Sequence, residues 1–248
     1  MAGKNVLKFI FAAMCVITAA VTFYSCSQIN ESMQIDLDTI ELVQFEDIAD
    51  DAPVAVISTT LGDIKAVLYP EYAPNTVQNF IDLAESGYYD GTYVFRIQKD
   101  TYFAGGSPNP DGTLKDDYDK SKEKIKNEYN QNLWPFKGAL CSLSNDSSCG
   151  GSRFLVVNSI EYTDEVKEQL LSTSENTILA DAFIEHGGIP NYAQQMTIFG
   201  QTYEGLDIID VITSQDSDPD NEYQPYEDIM INSVEISTYG EEKSAVSE

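Results

Sequence analysis

Arg96 and Arg153 are the only two arginines in this chain of 248 residues, and Arg96 stands in the apolar stretch "YVFRI", nine positions before Gly105–Gly106. A guanidinium stays charged at any physiological pH and presents a rigid fork of donors. Fixed beside a cleft, it stabilises whichever atom gains a lone pair or negative charge as a reaction proceeds. Read alone, a strand arginine is more simply a side chain whose head reaches a surface acid. Other reagents are scarce. The sole histidine, His186, precedes Gly187–Gly188 and reads as a loop residue. Cys141 and Cys149 show neither a CxxC nor a His/Cys spacing, so no metal centre is expected. They could bridge a short loop in an oxidising compartment, or be two buried thiols. Asp216, Asp218, Asp220 and Glu222 alternate in "DSDPDNE" like a calcium loop but lack the glycine and distant glutamate of an EF-hand. They read as an acidic surface loop.

The balance of 41 acids against 14 basic residues gives a formal charge of −27, spread along the chain. Such a surface repels phosphate backbones, which argues against a nucleic-acid partner. Hydrophobic content of 42% is enough for one large core. At the N-terminus Lys4 and Lys8 precede an uncharged run over residues 9–25 and then Cys26, the layout of a secretory signal. A cysteine after a small residue at this place resembles the lipobox of bacterial lipoproteins, in which it is acylated; Tyr24 is bulkier than usual there. The alternative is an uncleaved anchor helix, although the run is short against about 20 residues. Both readings expect the folded part outside the cytoplasm, anchored to the bacterial cell membrane or secreted. The boundaries expected are a leader over 1–26, an acidic linker over 27–51, a folded domain over 52–239 and a polar tail over 240–248.

From residue 52 the patterning changes. "PVAVIST" and "DIKAVLY" read as strands joined by the turn signal "TLG". In "APNTVQNFIDLAESGYY", Val77, Phe80, Ile81 and Ala84 recur at helical spacing and Gly87 ends the helix. Strands are expected near 93–97 and 101–104, then at "GALCSLS", "SRFLVVN", "MTIFGQTY" and "DIMINSVEIST". Residues 107–135 show no sustained periodicity. "YTDEVKEQLLS" and "NTILADAFIEHGG" read as one or two helices, and "EGLDIIDVITS" as another. Many short strands with few helices predict an antiparallel, closed or nearly closed barrel capped by helices.

The stretch "TTLGDIKAVLYPEYAPNTVQNFIDLAESGYYDGT" resembles the opening of a cyclophilin-type peptidyl-prolyl isomerase. The similarity resumes at "PFKGALCSLS", "GGSRFLVV", "TIFGQTYEGLDIIDVI" and "DIMINSVEI", collinear over roughly residues 50–238. The resemblance implies a mainly β fold, a closed eight-stranded antiparallel barrel capped by two helices, here with an extra helical insertion. It implies prolyl cis–trans isomerisation of proline-containing polypeptides, with no cofactor. That reaction twists an amide against a barrier of about 18–20 kcal/mol. In the twisted state the prolyl nitrogen regains a lone pair, to which a guanidinium can donate. Arg96 in "VFRI" matches the arginine of the family's F-H-R-V motif, and "AGGS" matches Q-G-G-D.

Other groove positions carry over by the same match but differ in residue type. The family's Phe and Met fall on Thr101 and Tyr102, and the Gln before GG on Ala104. The M-A-N loop falls on Ser142, Leu143 and Ser144, with Asn145 one place late. G-S-Q-F-F is represented by Arg153 at the glutamine and Leu155 at the last phenylalanine. W-L-D-G-x-H becomes Asn191 to Met196, with Tyr192 second. These changes imply a weaker isomerase, or one for an unusual substrate, whose pocket Tyr102, Tyr192 and Met196 rebuild as apolar surface. The alternative is a peptide-binding or chaperone module without useful turnover. Arg153 reads either as a second cation facing an acidic or carbonyl-rich peptide, or as the partner of an acid such as Asp146.

Overall fold

The computed structural model describes residues 39–115, 119, 123–144, 149–173 and 177–245. The leader with Cys26, residues 27–38, Asn145, Asp146 and residues 246–248 lie outside these. Eight strands close a barrel: β1 (Pro53–Thr59), β2 (Gly62–Leu68), β3 (Thr92–Gln98), β4 (Tyr102–Ser107), β5 (Ala139–Leu143), β6 (Arg153–Val157), β7 (Ile198–Glu204) and β8 (Ile229–Thr238). The ring order is β1-β8-β3-β4-β6-β5-β7-β2, and neighbours are antiparallel throughout. Alternation along each strand decides what faces inward: Ala55 and Ile57 on β1, then Ile64, Ala66 and Leu68 on β2.

Helix α1 (Pro74–Glu85) lays Val77, Phe80, Leu83 and Ala84 against this core, and α4 (Leu206–Thr213) adds Ile209 and Ile212. The insertion forms two helices, α2 (Asp164–Thr173) and α3 (Thr177–His186). Leu170, Ala180 and Phe183 pack there with Trp134 and Phe136, making a separate apolar cluster.

The N-terminus of α1 is capped from elsewhere in the chain. Ala73, at the cap position, has no side-chain oxygen, and Pro74 begins the helix. The Glu128 carboxylate accepts bonds from the Asn75 and Thr76 N–H groups at 3.1 and 2.9 Å, and from the Thr76 hydroxyl at 2.8 Å. Partial burial pushes the Glu128 carboxyl up, but the bonds from Thr76 and Asn75 outweigh it and hold the group below the ordinary glutamate value. Its charge also meets the positive end of the helix dipole.

The acidic stretch read as a linker joins the fold from Thr39 onward, because its few apolar residues find cover. Val43–Phe45 forms a 3-10 turn. Gln44 is buried: its Nε2 donates to the Trp134 carbonyl at 2.9 Å and to Gln201 Oε1 at 2.7 Å, while its Oε1 accepts from the Trp134 N–H at 2.6 Å. Phe45 stacks on His186, ring centroids 3.8 Å apart. The start of the polar tail is a helix, α5 (Tyr239–Ala245); Tyr239 packs edge-on to Tyr203, and Glu242 lies 3.4 Å from Lys65.

Two stability predictions follow from these fastenings. Glu128→Gln lowers unfolding free energy at neutral pH by about 1 kcal/mol, the ordinary cost of a lost helix cap. Because the folded pKa is depressed, the gap to wild type is fully present above the unfolded value of about 4.3 and closes as pH falls through the folded one; urea melts across pH 3–7 measure it. Gln44→Ala leaves the buried Trp134 N–H unsatisfied and costs about 1–3 kcal/mol in the same assay.

Candidate active site

Arg96 owes its direction to an irregularity in the sheet. Tyr93 lies opposite Ser107, Val94 opposite Gly105 and Arg96 opposite Ala104, so the ladder skips Gly106 on β4 and Phe95 on β3. Val94 and Ile97 both face the barrel interior. Strict alternation would send Arg96 inward with Val94; the extra residue at Phe95 inverts the phase and turns the guanidinium outward. The compensating skip needs Gly106. Its φ is +84°, and a Cβ there would meet the Tyr89 ring at 3.0 Å and the Ser152 carbonyl oxygen at 3.2 Å.

Across the outer face the register aligns Arg96, Ala104, Leu155, Cys141 and Ile198, one from each of β3, β4, β6, β5 and β7. Four interstrand spacings of about 4.8 Å make this row about 19 Å long. Its floor is buried and apolar, and Tyr102, Leu143, Tyr192 and Met196 pack over it half-buried. Tyr192, in the Pro190–Tyr192 turn, brings its ring centroid within 5.9 Å of Tyr102. Its hydroxyl is pushed up to about 12, mainly by burial and further by Tyr102, while Arg96 opposes the shift. It is therefore a neutral O–H at physiological pH. Met196 and Ile198 also line a shallow pocket with Tyr129, Asn130, Leu133 and Gln194.

Sequence-expected residues thus divide. Arg96, Tyr102, Ala104, Leu143, Leu155, Tyr192 and Met196 come together on this face. Thr101 and Ser144 hold backbone, the Thr101 hydroxyl donating to the Lys99 carbonyl at 3.0 Å and Ser144 to the Glu123 carbonyl at 2.9 Å, while the main-chain carbonyl of Asn191 accepts from the Gln195 side chain. Arg153 corrects one expectation. Its side chain is 9% exposed, with Nη2 3.3 Å from Glu123 Oε2 and Nη1 donating to the Gly112 carbonyl at 2.9 Å. Glu123 also accepts from the Ser152 N–H and hydroxyl, both at 2.7 Å. Among the described residues Arg153 pairs with Glu123, and the guanidinium is turned into the fold, where a carboxylate already balances its charge; Asp146 lies outside them.

Sequence reasoning passed over Glu222, whose backbone carbonyl accepts from Arg96 Nε at 3.1 Å and whose carboxylate accepts from Nη2. It also left Cys141 undecided; Cys141 and Cys149 are thiols, and burial holds Cys141 well above the usual thiol range. No signal local to the sequence ties residue 222 to residue 96. Chemically, the face offers a fixed cation at one end of an apolar strip and the Tyr192 hydroxyl beside it. That set can bind an extended apolar segment and stabilise a developing lone pair without moving a proton.

Comparison with known proteins identifies the fold and the family. Residues 54–236 match the family described as cyclophilin type peptidyl-prolyl cis-trans isomerase/CLD. A Staphylococcus saprophyticus protein named for peptidyl-prolyl cis-trans isomerase activity is 31% identical over 181 residues, covering 73% of this chain and 90% of that protein. A Streptococcus pyogenes protein named for both phosphatase and isomerase activities is 32% identical over 188 residues, and there the match spans 38% of the relative's length. The crystal structure of a Cryptosporidium parvum cyclophilin-type isomerase superposes with a TM-score of 0.57 at 21% identity, covering 75% of this chain and 98% of that one. The barrel, its two capping helices and a family match over residues 54–236 make this chain a member of the cyclophilin-type peptidyl-prolyl cis-trans isomerase family.

Proposed function

We propose that the chain isomerises prolyl bonds in exported polypeptides, with Arg96 stabilising the twisted amide. The observation that carries this reading is the placement of Arg96 beside the Tyr102–Tyr192 pair, at the end of a continuous apolar row. A proline ring suits that surface, since it is apolar and needs no donor. The Cryptosporidium parvum relative, crystallised in the presence of the dipeptide Ala-Pro, supports a proline-containing ligand. Turnover is modest in this proposal, because Ala104, Ser144 and Asn191 offer a substrate backbone little to hold it in register, and lost positioning costs rate.

The domain acts outside the cytoplasm, fastened to the membrane by a lipid on Cys26 at the end of the leader. The arrangement of Lys4, Lys8, the uncharged run and Cys26 supports this. A second reading, a peptide-binding chaperone without turnover, is favoured by the apolar row itself, which persists although Ala104 and Leu155 stand where the family has a glutamine and a phenylalanine.

Two experiments test these readings. In an NMR exchange or protease-coupled assay on proline tetrapeptides, wild type accelerates isomerisation and Arg96→Ala loses about 10²-fold in kcat/KM. No acceleration at high wild-type concentration, with aggregation of an unfolded client still slowed equally by both proteins, selects the chaperone reading. Mass spectrometry of the membrane-extracted protein is expected to find an acylated N-terminus at Cys26; an intact Met1 or a cut elsewhere refutes the lipid anchor.

A further inference from the structure

The sheet that carries Arg96 does not hold its head group. The cross-strand neighbour, Ala104, is fully buried and offers only a methyl, and Leu155 follows it in the row. The acceptors come from a hairpin between α4 and β8, 126 residues further along. There Ser217–Asp218 pairs with Gln224–Pro225, and the hairpin is fastened along β3. The Ile97 N–H donates to the Tyr223 carbonyl, and the Ser217 hydroxyl to the Ile97 carbonyl, both at 2.9 Å. Lys99 Nζ reaches Asp216 at 2.7 Å.

At the tip, Glu222 and Tyr223 both take left-handed backbone, with φ of 51° and 61° and no glycine. Two consecutive side-chain-bearing residues in that region are disfavoured, and they persist because the surrounding bonds hold them. The conformation aims both the carbonyl and the carboxylate of one residue at one edge of the guanidinium. Nη1 makes no hydrogen bond among the described residues, which leaves it for a ligand. Glu222 is 80% exposed, so the ion pair itself adds little to stability. Its effect lies in fixing a long, 37% exposed side chain that would otherwise sample many rotamers.

We infer that Glu222 is a positioning residue for Arg96, supplying from the hairpin the orientation that Ala104 cannot supply from within the sheet. The inference rests on Arg96 acting in prolyl isomerisation. The opposite role, a carboxylate that competes with substrate for the guanidinium, would make its removal raise turnover.

The full chain, Glu222→Gln and Glu222→Ala distinguish these roles. Glu222→Ala is expected to lower kcat by about tenfold with KM little changed, and Glu222→Gln, which keeps an acceptor oxygen, to retain most of the rate. A second readout is independent of turnover. With two arginines in the chain, the arginine Nε–H spectrum holds two signals, assigned by one Arg96→Lys variant. The 15N heteronuclear NOE of the Arg96 Nε–H falls in Glu222→Ala while that of buried Arg153 stays, which also reports an intact fold. Turnover equal to or above wild type in Glu222→Ala, or an unchanged Arg96 NOE, overturns the inference. Wild type without rate enhancement removes the isomerase reading instead, and the NOE comparison still shows whether Glu222 holds the side chain.

Discussion

A closed barrel gives every strand residue one of two places, and in this chain the inner one is full. Phe80 of α1 meets Phe154, Phe199 and Tyr89 with ring centroids 5.9, 5.1 and 5.2 Å away, and Ile57, Ile64 and Phe103 fill the space around them. A packed interior of this kind is core and not a ligand cavity. Chemistry is therefore confined to the outside. There the wall formed by β4, β6, β5 and β7 is itself apolar, and must be covered or used. Leu133, Tyr192 and Val43, from three separate segments, pack over part of it. The groove is the seam where that cover stops, with Arg96 at its edge.

How much of this could be read from residues alone depends on whether the determining contact is local. The strands and α1 announce themselves by alternation and by the spacing of Val77, Phe80 and Ala84, so the barrel and its caps were legible. Most of the positions matched through the resemblance lie together on one face of the barrel. The direction of Arg96 was not legible, because the phase of β3 is set by a bulge, a property of two strands together. The partner of Arg153 lies in the stretch without periodicity, and that of Arg96 in what reads as a solvated acidic loop. The first residues of the domain were hidden by their own composition: Ile40, Leu42, Val43 and Phe45 are diluted among acids, yet they pack.

The charge imbalance gains a structural meaning from these pairings. With 14 basic residues against 41 acids, acids are plentiful, and several cations use them to join distant segments. Lys65 gathers Glu204 and Glu242, Lys137 meets Asp210, Lys99 holds Asp216, and Lys243 reaches Asp50. Exposed pairs of this kind add little free energy singly. Arg153–Glu123 is different: removing either partner would strand a buried charge, so it constrains how residues 112 and 123 lie against β6.

The N-terminal stretch has a mechanical consequence. Force transmitted through residues before Thr39 would reach Gln44 and the Phe45–His186 stack before any barrel strand. Those contacts are few and can peel one at a time, whereas β1 is flanked on both edges and must shear as a whole. Under load residues 39–51 would straighten first, to a span of at most roughly 45 Å, with the barrel still shut. A domain hung from a moving surface would thus have slack to yield before its working face is disturbed.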